Sequence, residues 1–167
     1  MNLLIAKEIQ TDLSTEPLTT AAAKAAMKVS FSDDDTFIAS LCKNARLWLE
    51  NYTGLQLGRK TLKLTIDLAA YQLYTLPGPV TGIVQVTADG ECVSYSLYGD
   101  AIEVENTGRY EIIYQCGYTT VPDDIMNDMK RIVAFMYQNR GIDLSNETAT
   151  LTDFPQLASE FYRRVVI

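Results

Sequence analysis

Cys116-Gly117-Tyr118-Thr119-Thr120-Val121-Pro122-Asp123-Asp124-Ile125, continuing as an apolar-periodic stretch to Arg140, decides how this chain is read. Tyr110, Ile112, Ile113 and Tyr114 lead into it as a β-prone run, and Gly117 marks a tight turn. Val121-Pro122 then opens a helix. Proline suits the first helical turn, and Asp123 and Asp124 favour its positive dipole end. Ile125, Met129, Ile132, Val133 and Met136 share one face of that helix, with Asp124, Asp128, Arg131 and Gln138 broadly opposite. At 100° per residue Phe135 projects about 20° from Asp128, off the main apolar stripe. The segment is a strand-to-helix junction.

Upstream of the junction, residues 57–116 read as β structure. Short β-prone runs (Leu62, Leu64, Ile66; Leu73, Tyr74; Ile83, Val84, Val86; Val93, Tyr95, Leu97; Ile102, Val104) are separated by turn signals. These signals are Pro77-Gly78-Pro79, Asp89-Gly90, Gly99-Asp100 and Asn106-Thr107-Gly108. Asp89-Gly90 is a two-residue hairpin signal, because both of its positions tolerate positive φ. Residues 16–56 read as two helices. The first is Ala-rich with Thr19 as N-cap. The second has Ser32 as N-cap in a capping-box-like pairing with Asp35 and Gly54 as its stop. Ile38, Leu41, Cys42, Ala45, Trp48, Leu49 and Tyr52 form the apolar face of the second helix.

Residues 1–15 show no sustained period and read as a flexible N-terminal arm. Residues 120–140 are helix 3, 141–153 a polar linker and 154–167 a C-terminal helix with Leu157, Phe161 and Val165 at every fourth position. The expected class is α+β: a single domain, mainly a bundle of about four helices, with a small antiparallel β lobe inserted between helices 2 and 3.

Composition excludes more than it selects. At 47% hydrophobic and 21% charged residues the chain fits a soluble globular domain. No stretch approaches the roughly 18 apolar residues of a membrane span, and the N-terminal apolar run is too short for a signal peptide. Cys42, Cys92 and Cys116 are widely spaced and read as reduced thiols, not a disulfide framework. With no histidine in the chain, neither a cysteine or serine nucleophile with an imidazole base nor a His-containing zinc site is available. Asp33-Asp34-Asp35 reads as a helix start rather than a cation site. No cofactor, metal or catalytic residue is expected.

The net charge is −7, and it is uneven: residues 61–108 hold Lys63 alone against Asp67, Asp89, Glu91, Asp100, Glu103 and Glu105. Such a surface does not grip phosphate, since DNA binding needs a basic patch.

Motif order adds a family. Pro17-Leu18-Thr19 with Ala23-Lys24 makes the first matching block, and Asp34-Asp35, Ile38, Ala45 and Glu50-Asn51-Tyr52-Thr53-Gly54 the second. Leu76-Pro77 with Pro79-Val80 follows, and then Gly117-Tyr118, Val121-Pro122, Ile125, Val133-Ala134, Tyr137 and Asn139-Arg140. Together these resemble the head–tail connector, or head-completion adaptor, proteins of long-tailed phages and prophages, over most of residues 16–141.

The resemblance implies a non-enzymatic virion protein at the head–tail junction, assembled in the host cytoplasm. It implies a ring of roughly twelve copies beneath the portal, closed by a heterologous interface. That ring would extend the DNA channel and present a platform to the next head-completion or tail protein, with DNA passing through without specific binding. It suggests Phe154, Leu157, Phe161, Tyr162, Arg163 and Arg164 as portal contacts and Asp128 and Phe135 as subunit contacts. In that setting Asp89, Glu91, Asp100, Glu103 and Glu105 become channel-facing candidates. A tail-completion or other minor virion protein, or a small α+β binding module outside any phage, are the competing readings.

Overall fold

A computed structural model describes residues 3–140. In chain order these form β1 (Leu3–Thr11), α1 (Thr20–Met27), α2 (Asp35–Thr53), β2 (Lys60–Leu68), β3 (Tyr74–Thr75), β4 (Val80–Ala88), β5 (Glu91–Cys92), β6 (Tyr95–Tyr98), β7 (Ala101–Val104), β8 (Gly108–Cys116) and α3 (Asp123–Gln138). Residues 3–14 and Leu55–Thr119 make one compact unit; Thr15–Gly54 and residues 120–140 belong to the other.

The strand read just before Gly117 is β8, the centre of a five-stranded antiparallel sheet ordered β1-β2-β8-β4-β5. Its alternation decides the core. Tyr110, Ile112, Tyr114 and Cys116 turn inward and stand opposite Ile66, Leu64, Leu62 and Lys60 of β2, which are buried in step. A second sheet, ordered β3-β7-β6, contributes Ile102 and Val104 to the same apolar cluster, which also holds Leu76 and Val86. Buried tyrosines need a partner for the hydroxyl: Tyr114 donates to the Pro77 carbonyl at 3.0 Å and Tyr110 to the Asn106 carbonyl at 2.7 Å. The outward face of the five-stranded sheet is polar, with Asp67 paired across strands to Arg109 at 2.9 Å and Lys63 to Glu111 at 2.9 Å. The Asp89-Gly90 signal holds: φ is +51° and +85° at the two positions, and β4 turns there into β5.

In the helical unit, Thr19 caps α1 as expected, its Oγ1 accepting from the Ala22 N–H at 3.2 Å. Thr19→Ala should lower stability by about 1 kcal/mol, read as a shift of the urea midpoint with an unchanged slope. Gly54 ends α2 at φ +74°, its N–H reaching the Glu50 carbonyl at 3.0 Å. The start of α2 differs from expectation. The capping position is Asp34, not Ser32, and Asp34 makes no side-chain cap bond because its carboxylate is turned to other partners. Helix α3 packs on α1 and α2. Ile38, Leu41, Cys42, Ala45 and Leu49 of α2 are buried, as are Ile125, Met129, Ile132 and Val133 of α3.

The expected fold class is overturned. Among the described residues there are three helices and eight strands in two antiparallel sheets, with 36% of residues in strands against 31% in helices. The protein is mostly β sheet, not a helical bundle of about four helices with a small β insert. Seven of the eight strands lie within 60–116, which builds most of two sheets instead of a small insert, and β1 adds an eighth from a segment not expected to be β. Residues 1–15 were expected as an arm, yet Leu3–Thr11 pairs antiparallel with β2 along its length. Every residue of β1 except Ala6 is exposed, so it buries no face and carries none of the alternation by which a half-buried strand announces itself. The linker expected at 141–153 and the helix expected at 154–167 lie outside the described residues.

Candidate interaction surfaces

Cys42 is buried, and desolvation, with the Glu16 charge second, pushes its thiol up to about 11. Cys116 is buried, its thiol directed at the Lys60 carbonyl at 3.7 Å, while Cys92 is exposed. Among the described residues no three His, Cys, Asp or Glu side chains converge as metal ligands, and no helix is long and apolar enough to cross a membrane.

The acidic candidates fall at two hairpins of the β unit. Asp89 and Glu91 are exposed at the β4–β5 turn; Glu103 is half-buried on β7, and Glu105 just beyond it is exposed. Asp100 has structural work. Its carboxylate accepts from the Val80 N–H at 2.6 Å and its carbonyl from the Leu76 N–H at 2.8 Å, tying the β6–β7 turn to both ends of the Pro77-Gly78-Pro79 loop. Beside Glu103 and Glu105 lies a shallow cleft lined also by Tyr71, Ser94, Tyr95 and Ser96. With Leu73, Leu97 and Tyr98 exposed as well, this part of the β unit combines acidic groups with apolar and aromatic surface.

Of the two subunit-contact candidates, Phe135 is half-buried and Asp128 is only 1% exposed within its own chain. Asp128 therefore does not lie opposite the apolar face of α3. It follows Ile125 by three residues and shares the buried stripe with it. Phe154, Leu157, Phe161, Tyr162, Arg163 and Arg164 lie outside the described residues.

Two features were not read as sites from the sequence. One is the exposed edge strand β1, with Leu3, Leu4, Ile5 and Ile9 all open to solvent. The other is a polar knot closing the helical unit. Tyr137 Oη donates to Asp34 Oδ2 at 2.5 Å, Arg140 Nη1 donates to the same oxygen at 2.7 Å, and the Arg140 guanidinium lies 4.7 Å from the centre of the Tyr137 ring. Phe37 flanks the ring at 6.3 Å. The Tyr137 hydroxyl, then Arg140, hold the Asp34 carboxyl below its ordinary value, and Asp34 in turn raises Tyr137. The knot ties the end of α3 to the start of α2.

Its pH limits follow from the signs. A depressed Asp34 stabilises above its ordinary 3.8 and loses that contribution as pH falls through the folded-state value. A raised Tyr137 stabilises below its ordinary 10.0 and loses it as pH rises through the raised value. Asp34→Asn should bring Tyr137 back down toward that ordinary value, read in an ultraviolet difference titration against a Tyr137→Phe reference, and flatten the acid limb of the stability profile.

Against known proteins the sequence alone is silent: no family model matches it and no curated protein is similar to it. Solved structures do match. A chain in the neck of an empty gene transfer agent particle, with C6 symmetry, superposes with a TM-score of 0.72 at 21% identity, over 98% of this chain and 97% of that one. This chain has the fold of a gene transfer agent neck protein. A chain from the virion of a native gene transfer agent particle matches with a TM-score of 0.72 at 17% identity, over 98% and 97% of the two chains. One from the neck of a native particle with C12 symmetry matches at 0.64 and 18% identity, over 96% and 97%. The neck-protein fold agrees with the connector resemblance read from motif order, and it extends over nearly the whole chain.

Proposed function

We propose that this chain is a structural neck protein of a phage or phage-like particle, assembled in the host and carried in the virion, with no enzymatic role. About twelve copies form a ring beneath the portal that extends the DNA channel and joins head to tail. The observation that carries this reading is the shared fold over 96% of the chain with a chain from the neck of a gene transfer agent particle computed with C12 symmetry. The chemistry agrees. The acidic, aromatic hairpins of the β unit and the strand β1 offer contact surfaces.

In this reading Phe154, Leu157, Phe161, Tyr162, Arg163 and Arg164 contact the portal. Exposed acidic groups such as Asp89, Glu91 and Glu105 face the channel, where like charge lets DNA slide without being held. Deleting the gene from its phage or prophage should leave DNA-filled heads and free tails that fail to join. Supplying the intact chain should restore joined particles, and a chain truncated after Arg140 should not. Normal particle yield from the deletion would refute the proposal.

A further inference from the structure

Among the described residues the five-stranded sheet ends in two open edges, one at each side. β1 forms one edge over nine residues. On the other side, β5 covers β4 only at Thr87 and Ala88, so residues 81–85 of β4 have no strand beyond them among the described residues. Open strand edges are ready templates for pairing. Both edges here carry apolar side chains: Leu3, Leu4, Ile5 and Ile9 on β1 are 43–57% exposed, and Val84 on β4 is 59% exposed. Both are also kinked by register shifts, β1 at Leu4/Ala6 and Ile9/Thr11, β4 at Val80/Gly82 and Ile83/Gln85. Bulges of this kind increase the local twist and blunt an edge against indiscriminate pairing, so any strand added there must follow that twist.

We infer that the occupant of the β1 edge is the β4 edge of the next copy of this chain, so that the sheet continues from subunit to subunit. The inference rests on the ring reading proposed above and names the surface that closes the ring. Strand direction supports it. Successive pairs in the order β1-β2-β8-β4 are all antiparallel, so β4 runs opposite to β1 within one copy. Rotation about an axis along the strands preserves their direction. β4 of one copy then meets β1 of the next antiparallel, and the alternation continues through every junction. The junction is heterologous, the kind that closes by rotation, and necks whose chains share this fold were computed with the rotational symmetries C12 and C6.

Area sets how such a junction behaves. Partial burial of five aliphatic side chains amounts to something on the order of 500 Å², well below the roughly 1,600 Å² of a standard stable interface. A single junction therefore holds a lone pair of subunits weakly. A closed ring gives every subunit two junctions and leaves no edge open.

The pairing fixes a register. In line with β5, whose Val93 N–H still reaches the Val86 carbonyl at 3.1 Å, the proposed junction seats the neighbour's Leu3 just beyond Val93 and its Leu4 beside Val84. Cys92 is exposed, and Cys42 and Cys116 are buried. The test uses the full chain, concentrated alone and mixed with portal, treated with a short bismaleimide, and read by denaturing gel and negative-stain microscopy.

Leu3→Cys should give a ladder of covalent multimers that disappears when Cys92→Ser is added. Ile9→Cys, about 20 Å further along the strand, should give none. Leu3 and Ile9 are exposed, so both variants keep the fold. Rings without the Leu3→Cys ladder overturn the junction and leave the neck reading standing. A ladder without rings or portal binding keeps the junction and refutes the neck reading. Neither ladder nor rings overturns both, and a Cys92-linked dimer in the unsubstituted chain overturns the junction in favour of a symmetric contact.

Discussion

Arg46→Ala is expected to destabilise the protein by about 3–5 kcal/mol. Arg46 is one of the largest fully buried side chains in the molecule, at 2% exposure, and sits mid-way along α2 between apolar residues. Its Nε and Nη2 donate to the two carboxylate oxygens of Glu16 at 2.7 and 3.0 Å, and Nη1 donates to Glu50 at 3.1 Å. Glu50 is itself almost wholly buried. Removing the guanidinium leaves that carboxylate in a low-dielectric setting without its main counter-charge and frees the Glu16 segment, which is joined to α2 through this contact. The cost is mostly the stranded charge, not the lost pair. Arg46→Met with Glu50→Leu should therefore recover much of the loss, since an apolar pair of similar volume replaces the ions. Chemical denaturation of the three proteins checks this. A single variant within 1 kcal/mol of the parent would show that Glu50 is served by other groups.

Gly117→Ala should cost roughly 3 kcal/mol. Gly117 has φ +102°, a region that side chains avoid, and a Cβ added there would run into the carbonyl of Gly58. The obstacle is backbone and cannot swing aside as a flexible side chain could. Three strands converge at this point: Cys116 of β8 faces Lys60 of β2 and Val80 of β4, and the Gly117 N–H donates to the Pro79 carbonyl at 2.8 Å. Relieving the clash means opening the ends of β2, β4 and β8 together. Gly82→Ala is the matched control. Its Cβ would meet nothing within 4 Å and its φ is not positive, so it should stay within about 1 kcal/mol of the parent. Thermal unfolding should separate the two variants by well over 5 °C in Tm.

The same glycine shows how far the sequence could be read. Thr19, Gly54, Asp89-Gly90 and the strand-turn-helix order around Gly117 were legible because each is a local device whose residue type is set by its own backbone angles. The alternation of β2 and β8 was legible because one face is buried. β1 was not, since a strand exposed on both faces has no hydrophobic pattern to display. Arg46 was missed as a core residue because its partner Glu16 lies 30 positions away, and no helical period reports so distant a contact. The Asp34 knot depends on partners 103 and 106 residues away, so Asp34 read as an ordinary helix start. Asp128 was assigned to the wrong side of α3 because its charge was weighed over its spacing from Ile125.

The surfaces follow the same division. The acidic bias of residues 61–108 is visible in composition, but only the fold separates Asp100, which holds the Pro77-Gly78-Pro79 loop, from Asp89 and Glu91, which stand free of it at a hairpin tip.

Electron microscopy of the purified full-length chain mixed with the portal protein of its own phage tests the central claim most directly. The account predicts class averages with a second ring of about twelve copies stacked on the portal, as expected for a neck with C12 symmetry. A chain that remains monomeric and leaves the portal bare at every concentration would contradict it.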